Sequence, residues 1–363
     1  MTIENAETRL HAGATPPAAE EFAFDEHDFE FAAEGDFAAL AAEPISPVSF
    51  TKEAMGRLAR NRGALCSLFF IVLIVLFALI GPLVSGYSYE QQLTGHDNMA
   101  PRIQGLEKLG FLDGREAVPM STGVKIVNKY EKLEDGETVY HWFGTDVLGR
   151  DLFTRTWEGT RISLFIALVA VLIDMLFGMS YGLISGYFGG KVDMVMQRIV
   201  EVLHGIPNLI IITLLIIVLK PGLLSIILAL MLTGWIGMSR VARAQMIKLK
   251  EQEFVLAART LGARPFFLIS KEVLPNIIGQ LLVMSMFSIP SAIFSEAFLA
   301  FIGIGIPVPM ASLGSIISDS FKSLTAHPYM MIFPVVVLGL LMLSFNLLAD
   351  GLRDALDPRM KDR

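Results

Sequence analysis

Glu253-Phe-Val-Leu-Ala-Ala-Arg-Thr-Leu-Gly-Ala-Arg-Pro-Phe-Phe-Leu-Ile-Ser-Lys-Glu-Val-Leu-Pro-Asn276 is a polar, basic stretch set between two long apolar runs. Phe254, Leu256, Ala257 and Leu261 recur at near-helical spacing, Gly262 stands where a C-terminal cap belongs, and Pro265 bars immediate continuation. The pattern predicts a short helix, a glycine break and a second short helix ending at Pro275. Ala257, Ala258 and Gly262 leave a low surface that another backbone can approach closely. Spacing alone leaves two readings open, a docking element and an ordinary polar loop.

Working outward, the upstream run reads as a membrane span from Leu223 to about Val241, with Gly234 and Gly237 as its close-packing face. The downstream run reads as a span from Asn276 to about Ile304, long enough to kink, with Pro290 as the cause. Arg240, Arg243, Lys248, Lys250, Arg259, Arg264 and Lys271 form the densest basic cluster of the chain, which puts the loop 242–275 in the cytoplasm. Orientation alone demands that charge, so no single Lys or Arg is assigned a contact.

The order Ala257-Ala258, three residues, Gly262, then Leu274-Pro275 resembles the "EAA" loop of the membrane subunits of bacterial ABC importers. Leu256 stands where that motif usually has Glu, and Glu272 where it usually has an aliphatic residue. The resemblance implies that Glu253, Leu256, Ala257, Ala258, Arg259, Gly262, Leu274 and Pro275 form a coupling element docking into a groove on a separate ATPase subunit. It also implies that ATP and Mg are bound by partners, this chain holding no cofactor and no catalytic residue. No glycine-rich loop ending in Gly-Lys-Ser/Thr occurs in the sequence, so a nucleotide-driven pump built on it borrows its ATPase.

Composition agrees with a polytopic, all-α membrane protein. Of 363 residues, 53% are hydrophobic, mean hydropathy is +0.56, and the apolar residues gather in blocks of about 20. Lys52, Arg57, Arg60 and Arg62 precede an uncharged run, Ala64 to Val84, so the amino terminus is expected in the cytoplasm and span one runs outward. The net charge of −7 hides an asymmetry: residues 1–50 carry eleven acids and one arginine. That arm is expected to be disordered and solvated, although Phe22, Phe24, Phe29, Phe31 and Phe37 would also suit a docking segment. The one cysteine, Cys66, forms no intrachain disulfide.

After span one and its flank (51–86) comes an extracytoplasmic insertion, 87–141. Lys125 to Tyr130 and Thr138 to Trp142 alternate around Glu134-Asp-Gly136, predicting a β-hairpin. Next, Leu152, Phe153, Thr156 and Trp157 share one face of a short helix expected along the outer interface. Gly144-Thr-Asp146, Leu148-Gly-Arg-Asp151, Arg155, Gly159, Arg161 and Ser163-Leu164 resemble the signature before span two in dipeptide, oligopeptide and nickel permeases, in the C-type partner of each pair. Asp146, Arg150 and Asp151 are read as a structural ion-pair and turn network rather than a catalytic or metal cluster.

The core, 142–350, holds spans two to six at about 163–187, 192–219, 223–241, 276–304 and 329–348, the third broken at Pro207. Asn346-Leu-Leu-Ala-Asp-Gly-Leu-Arg-Asp-Ala-Leu-Asp-Pro-Arg359 again resembles that family, and residues 351–363 are expected to be a cytoplasmic terminus. The resemblance implies the six-span type I importer fold, paired with a second homologous permease subunit, two ABC ATPases and an extracytoplasmic binding protein. It implies transport of peptides, or of nickel or another small solute, and no nucleic-acid partner. Asp174 and Glu296 lie within spans, where ionised carboxylates are costly. Two readings stand: polar groups bonded within the bundle or lining a substrate path, together with Pro207, Pro290 and Asn346, or the coupling acids of an ion-driven transporter. A receptor that transports nothing is a third class.

Overall fold

The computed structural model describes residues 50–110, 112–120, 123–133 and 139–356. The acidic arm with its phenylalanines and the Glu134–Gly136 turn lie outside the described residues. Helices dominate: α1 Phe50–Arg60 and α2 Arg62–Val84, then, beyond a small β-ribbon (β1 Arg115–Met120, β2 Gly123–Asn128), α3 Leu152–Phe188. α4 is Gly190–Gly205, α5 Asn208–Leu219, α6 Leu223–Leu249, α7 Glu253–Thr260, α8 Pro265–Ile304, α9 Leu313–Phe321 and α10 Tyr329–Leu356. Five of these are long and apolar enough to cross a bilayer, and the bent pair α4–α5 makes a sixth. Large apolar side chains such as Phe69, Leu83, Leu176 and Val218 are exposed along them, as helices bathed in lipid require.

Several expectations are corrected. The short interfacial helix before span two does not exist as a separate element, because Leu152 begins the single helix α3. Asp151 caps it by accepting from the Thr154 N–H at 2.8 Å, and Leu152 through Thr160 are buried, so no face is left for an interface. The ribbon pairs 115–120 with 123–128, Arg115 opposite Asn128 and Ala117 opposite Ile126; residues 139–142 are not a strand. Pro207 does more than kink span three. Its predecessor Ile206 is forced into extended backbone (φ −93°, ψ 129°), and α4 and α5 meet at 83°.

Span four continues to Leu249, well past Val241, because Ala242 and Met246 are still buried. Nor does a helix end at Pro275. Pro265 opens α8 at its first turn, and a widened π-type turn over Leu268–Val273 precedes Pro275, easing the clash its ring would make with the carbonyl four residues back. The carboxyl-terminal signature is helical to Leu356, and Gly351 packs directly on Ala64, so α10 ends on the side where α2 begins.

Three apolar clusters stack along the bundle. Ile71, Ile74, Trp157, Ile293, Val337 and Leu341 join α2, α3, α8 and α10, with Phe77 stacked on Trp157 at 4.9 Å. Ile166, Ile212, Ile216, Ile226 and Leu299 join α3, α5, α6 and α8. Leu183, Met246, Val255, Leu268 and Ile277 join α3, α6, α7 and α8. The last cluster roots the segment with which the sequence reading began.

Candidate functional site: the α7 segment and its mounting

α7 is an eight-residue helix, too short to persist alone. Gly262, at φ +86°, closes it in a left-handed cap: its N–H donates to the Arg259 carbonyl at 3.0 Å and the Ala263 N–H to the Ala258 carbonyl at 3.1 Å. Glu253 in the first turn and Arg259 in the last suit the helix dipole. Val255, 2% exposed, is its one buried residue and plugs into Leu268, Val273 and Met246. Ala258 and Leu274 are half-buried against the same cluster, whereas Glu253, Leu256, Ala257, Arg259, Gly262 and Pro275 are exposed. Phe254, Leu256, Leu261 and Phe266 are apolar and open, Leu261 at 89% and Phe266 at 81%. One side of the segment is thus anchored and the other is bare.

The mounting beneath it is rigid. Gly178, Gly182 and Gly186 on α3 lie against the carbonyls of Trp235, Ser239 and Arg243 on α6; a Cβ at Gly178 or Gly186 would come within 2.6 or 2.8 Å of those oxygens. Backbone meets backbone along two helical turns, the close approach that small residues four apart permit. Of the close-packing face expected on α6, Gly234 packs tightly on α3 and Gly237 more loosely on α8. Gly234 meets the Asp174 carboxylate and Gly237 the Met284 methyl, while the backbone contact is supplied by α3. At the end of the stripe, Arg243 donates to both Asp193 oxygens at 2.6 Å, Ser185 Oγ sits 2.5 Å from Asp193, and Lys250 Nζ donates to the Gly186 carbonyl at 3.0 Å. Sequence reading missed the glycine stripe, although Gly-x-x-x-Gly-x-x-x-Gly stands at 178–186.

The buried acids do not form a pair. Glu296 is fully buried and accepts from Ser163 Oγ at 2.9 Å; the Leu313 N–H donates to that hydroxyl at 3.2 Å, so the carboxylate pins α3, α8 and α9 together. Asp174 lies eleven residues along α3 from Ser163, about 16 Å at helical rise, with Oδ1 unpartnered against Gly234. Pro290 is buried inside α8, Pro207 is exposed at the α4–α5 break, and Asn346 is half-buried on α10. The structure therefore does not gather these five residues at one place.

Before α3, Asp146 accepts from the Leu148 and Arg150 N–H groups at 2.9 and 3.0 Å and from Arg150 Nε at 2.6 Å. Asp151 accepts from His141 Nδ1 at 2.8 Å besides capping the helix, and His96 Nδ1 lies 3.0 Å from His141 Nε2. Burial and the neighbouring His141 lower the His96 pKa. These groups build the turn that starts α3.

Bundle and segment together define a membrane subunit of a transporter, made of spanning helices with a mounted, outward-presented element between two of them. Comparison makes the class specific. Residues 178–362 match the family described as binding-protein-dependent transport system inner membrane component, and residues 49–101 match the N-terminal TM domain of oligopeptide transport permease C. The chain is 40% identical over 315 residues to the dipeptide transport system permease protein DppC of Bacillus subtilis, covering 86% of this chain and 87% of that one. It is 40% identical over 322 residues to the oligopeptide transport system permease protein OppC of the same organism (88% and 94%), and 35% over 315 residues to OppC of Escherichia coli (87% and 92%). A chain of the MetNI methionine ABC transporter in an inward-facing form aligns with TM-score 0.47 at 17% identity, over 55% of this chain and 95% of its own.

The chain belongs to the oligopeptide and dipeptide ABC permease family, as an OppC-type member. The ion-driven and receptor readings are not favoured, since the relatives are ABC permeases and the two intramembrane acids stand apart.

Proposed function

We infer that this chain is the C-type permease subunit of an ATP-driven peptide importer in the cell membrane, with both termini cytoplasmic. It pairs with a second homologous permease, couples to two ABC ATPases through residues 253–275, and receives peptide from an extracytoplasmic binding protein. ATP and Mg stay on the ATPases, and the permease itself catalyses nothing. The observation that carries the coupling step is the two-sidedness of the segment 253–266: Val255 is sunk in the bundle while Phe254 and Leu256 on α7, and Leu261 and Phe266 just beyond it, stand free to fill a partner's groove. Closure of an ATPase dimer around that apolar face would move α7 and, through Val255, the spans to which it is fixed.

Glu253, Leu256, Ala257, Ala258, Arg259, Gly262, Leu274 and Pro275 are the proposed coupling residues. Asp174 and Glu296 act as polar fixtures of the bundle. The test is reconstitution of the permease pair with both ATPases and the binding protein in proteoliposomes. Uptake of a labelled dipeptide should require ATP and stop on Leu261→Asp, which removes the apolar contact at a site exposed in the free chain. Unchanged uptake in that variant would refute the coupling role.

A further inference from the structure

Where α2 ends and α3 begins, a cavity of about 210 Å³ is lined by Ser85, Tyr87, Tyr140, Trp142, Asp151 and Phe153. That volume holds far more than a single water. Its walls carry four aromatic residues, two of them phenols, one serine hydroxyl and one carboxylate, with no Lys or Arg among them.

The carboxylate is built in rather than adventitious. Asp151 is 2% exposed; its Oδ1 accepts from His141, its Oδ2 lies 2.8 Å from both the Thr154 N–H nitrogen and Thr154 Oγ1, and Thr154 Oγ1 lies 2.7 Å from Ser85 Oγ. Three of its roughly four lone-pair positions are thereby used and one is left for the cavity it lines. His141 tilts against the Tyr87 ring at 4.7 Å, and Trp142 meets Phe153 edge-on at 4.6 Å, so the walls are held by their own packing. Arg102 lies over the Tyr140 ring at 4.9 Å but is paired with Glu107 at 2.9 Å.

Aromatic faces and a fixed carboxylate attract a cation and repel an anion. A metal ion would demand more oxygen ligands than one carboxylate and a serine supply. An organic ammonium, by contrast, is suited to ring faces plus a single charge-assisted hydrogen bond. The cavity also sits at the ends of two spans, the level at which Tyr and Trp meet lipid headgroups.

We propose that this cavity binds a primary ammonium group. Two sources carry that chemistry, the headgroup of phosphatidylethanolamine and a soluble amine. An ammonium clamped between Ser85, just past the end of α2, and Asp151, the cap of α3, would staple the peripheral first span to the core at the membrane surface.

The test uses the full chain in its transporter complex. After reconstitution in nanodiscs of phosphatidylethanolamine or of phosphatidylglycerol, native mass spectrometry counts retained lipid, and ethanolamine is titrated as the soluble competitor. The expected result is selective retention of phosphatidylethanolamine, displaced by millimolar ethanolamine and reduced about threefold to tenfold by Tyr140→Leu.

Because that variant can disturb the local fold, unaltered protein is also probed with phosphatidylethanolamine carrying a nitroxide near the top of one acyl chain, which leaves the headgroup ammonium intact. Tryptophan quenching should fall when Trp142→Phe removes the reporter beside the cavity. Ethanolamine binding without lipid selectivity would support the site with a soluble source. Equal retention of both lipids with no ethanolamine effect, or quenching unchanged in Trp142→Phe, would overturn the proposal.

Discussion

Replacing Gly262 separates the shape of the coupling segment from its surface. The residue holds φ +86°, and a Cβ there would meet nothing within 4 Å, so an added methyl is strained by the backbone conformation and not by a clash. An L-residue in that conformation carries about 1–2 kcal/mol of strain, less for Asn, whose short polar side chain tolerates it. The strain falls on two cap hydrogen bonds closing an eight-residue helix that has Val255 as its only buried anchor. If the capped form is the one that couples, Gly262→Ala should deplete it by about tenfold and Gly262→Asn by much less. Gly262→Arg adds a long charged side chain to the bare face and should abolish ATP-dependent uptake. The assay is dipeptide uptake into membrane vesicles, with immunoblotting for insertion and co-purification for ATPase association. Uptake at the parental rate in the Arg variant would refute the coupling role, and equal loss in Asn and Arg would refute the division between shape and surface.

Gly182→Leu should separate α3 from α6, because the side chain would be built into the Ser239 carbonyl; at about 1–3 kcal/mol of overpacking or more, a lower melting temperature in detergent is the readout. Arg243→Gln should lose the fork to Asp193, about 1.5–3 kcal/mol for charge-assisted bonds, and the double exchange Asp193→Arg with Arg243→Asp should recover part of it, measured by the same melt. Glu296→Gln should keep ATP-driven uptake, with transport indifferent to a collapsed proton gradient at constant ATP, whereas Glu296→Ala should cost about 1–3 kcal/mol by leaving the buried Ser163 O–H without its acceptor. His96 has its pKa lowered from 6.5 by burial and by His141, so the unfolded chain takes up protons first on acidification. The contribution is present above pH 6.5 and lost as pH falls through the folded-state pKa; hydrogen exchange at residues 96–102 should accelerate over that window, and no change would argue that His96 stays neutral for another reason.

What was legible in the sequence was whatever a periodicity or a cap specifies locally. The helix at 253–260, the stop at Gly262 and the break at Pro207 each follow from one or two residues whose backbone preferences admit few alternatives. Misreadings arose where tertiary packing overrules a local rule. Leu152, Phe153, Thr156 and Trp157 on one face argued for an interface helix, yet all four are buried, as is Arg155, which donates to the Tyr89 carbonyl at 3.2 Å, and the helix runs on unbroken. Pro275 argued for a stop, and a widened turn ahead of it let α8 continue. The hairpin was placed too late because alternation at 138–142 matches a strand equally well, while the partner of 123–128 is chosen by pairing across a two-residue gap. The Asp193–Arg243 fork spans fifty residues and carries no local signal.

The distribution of rigid and broken backbone constrains how α7 can move anything. α3 is a 37-residue helix, about 55 Å long, and its glycine stripe brings its backbone against the carbonyls and inner side-chain atoms of α6. Interfaces packed this closely shift as units rather than bend. α7 is rooted in the same cluster, so a displacement of Val255 reaches Met246 on α6 and Leu183 on α3 together. The joints lie elsewhere. Gly189 and Gly190, at φ +61° and +52°, separate α3 from α4, and Ile206-Pro207 separates α4 from α5. The Asp193 fork spans the first of these joints, tying α4 to α6 immediately after the glycines. With that fork closed, α4 is tied to the α3–α6 unit, and the 83° corner at Pro207 is the hinge between α4 and α5. Opening the fork would release a second hinge, so Arg243→Gln should loosen coupling, raising ATP hydrolysed per peptide imported, beyond what its effect on melting accounts for. An unchanged ratio of hydrolysis to uptake in that variant would show that α4 is not part of the moving unit.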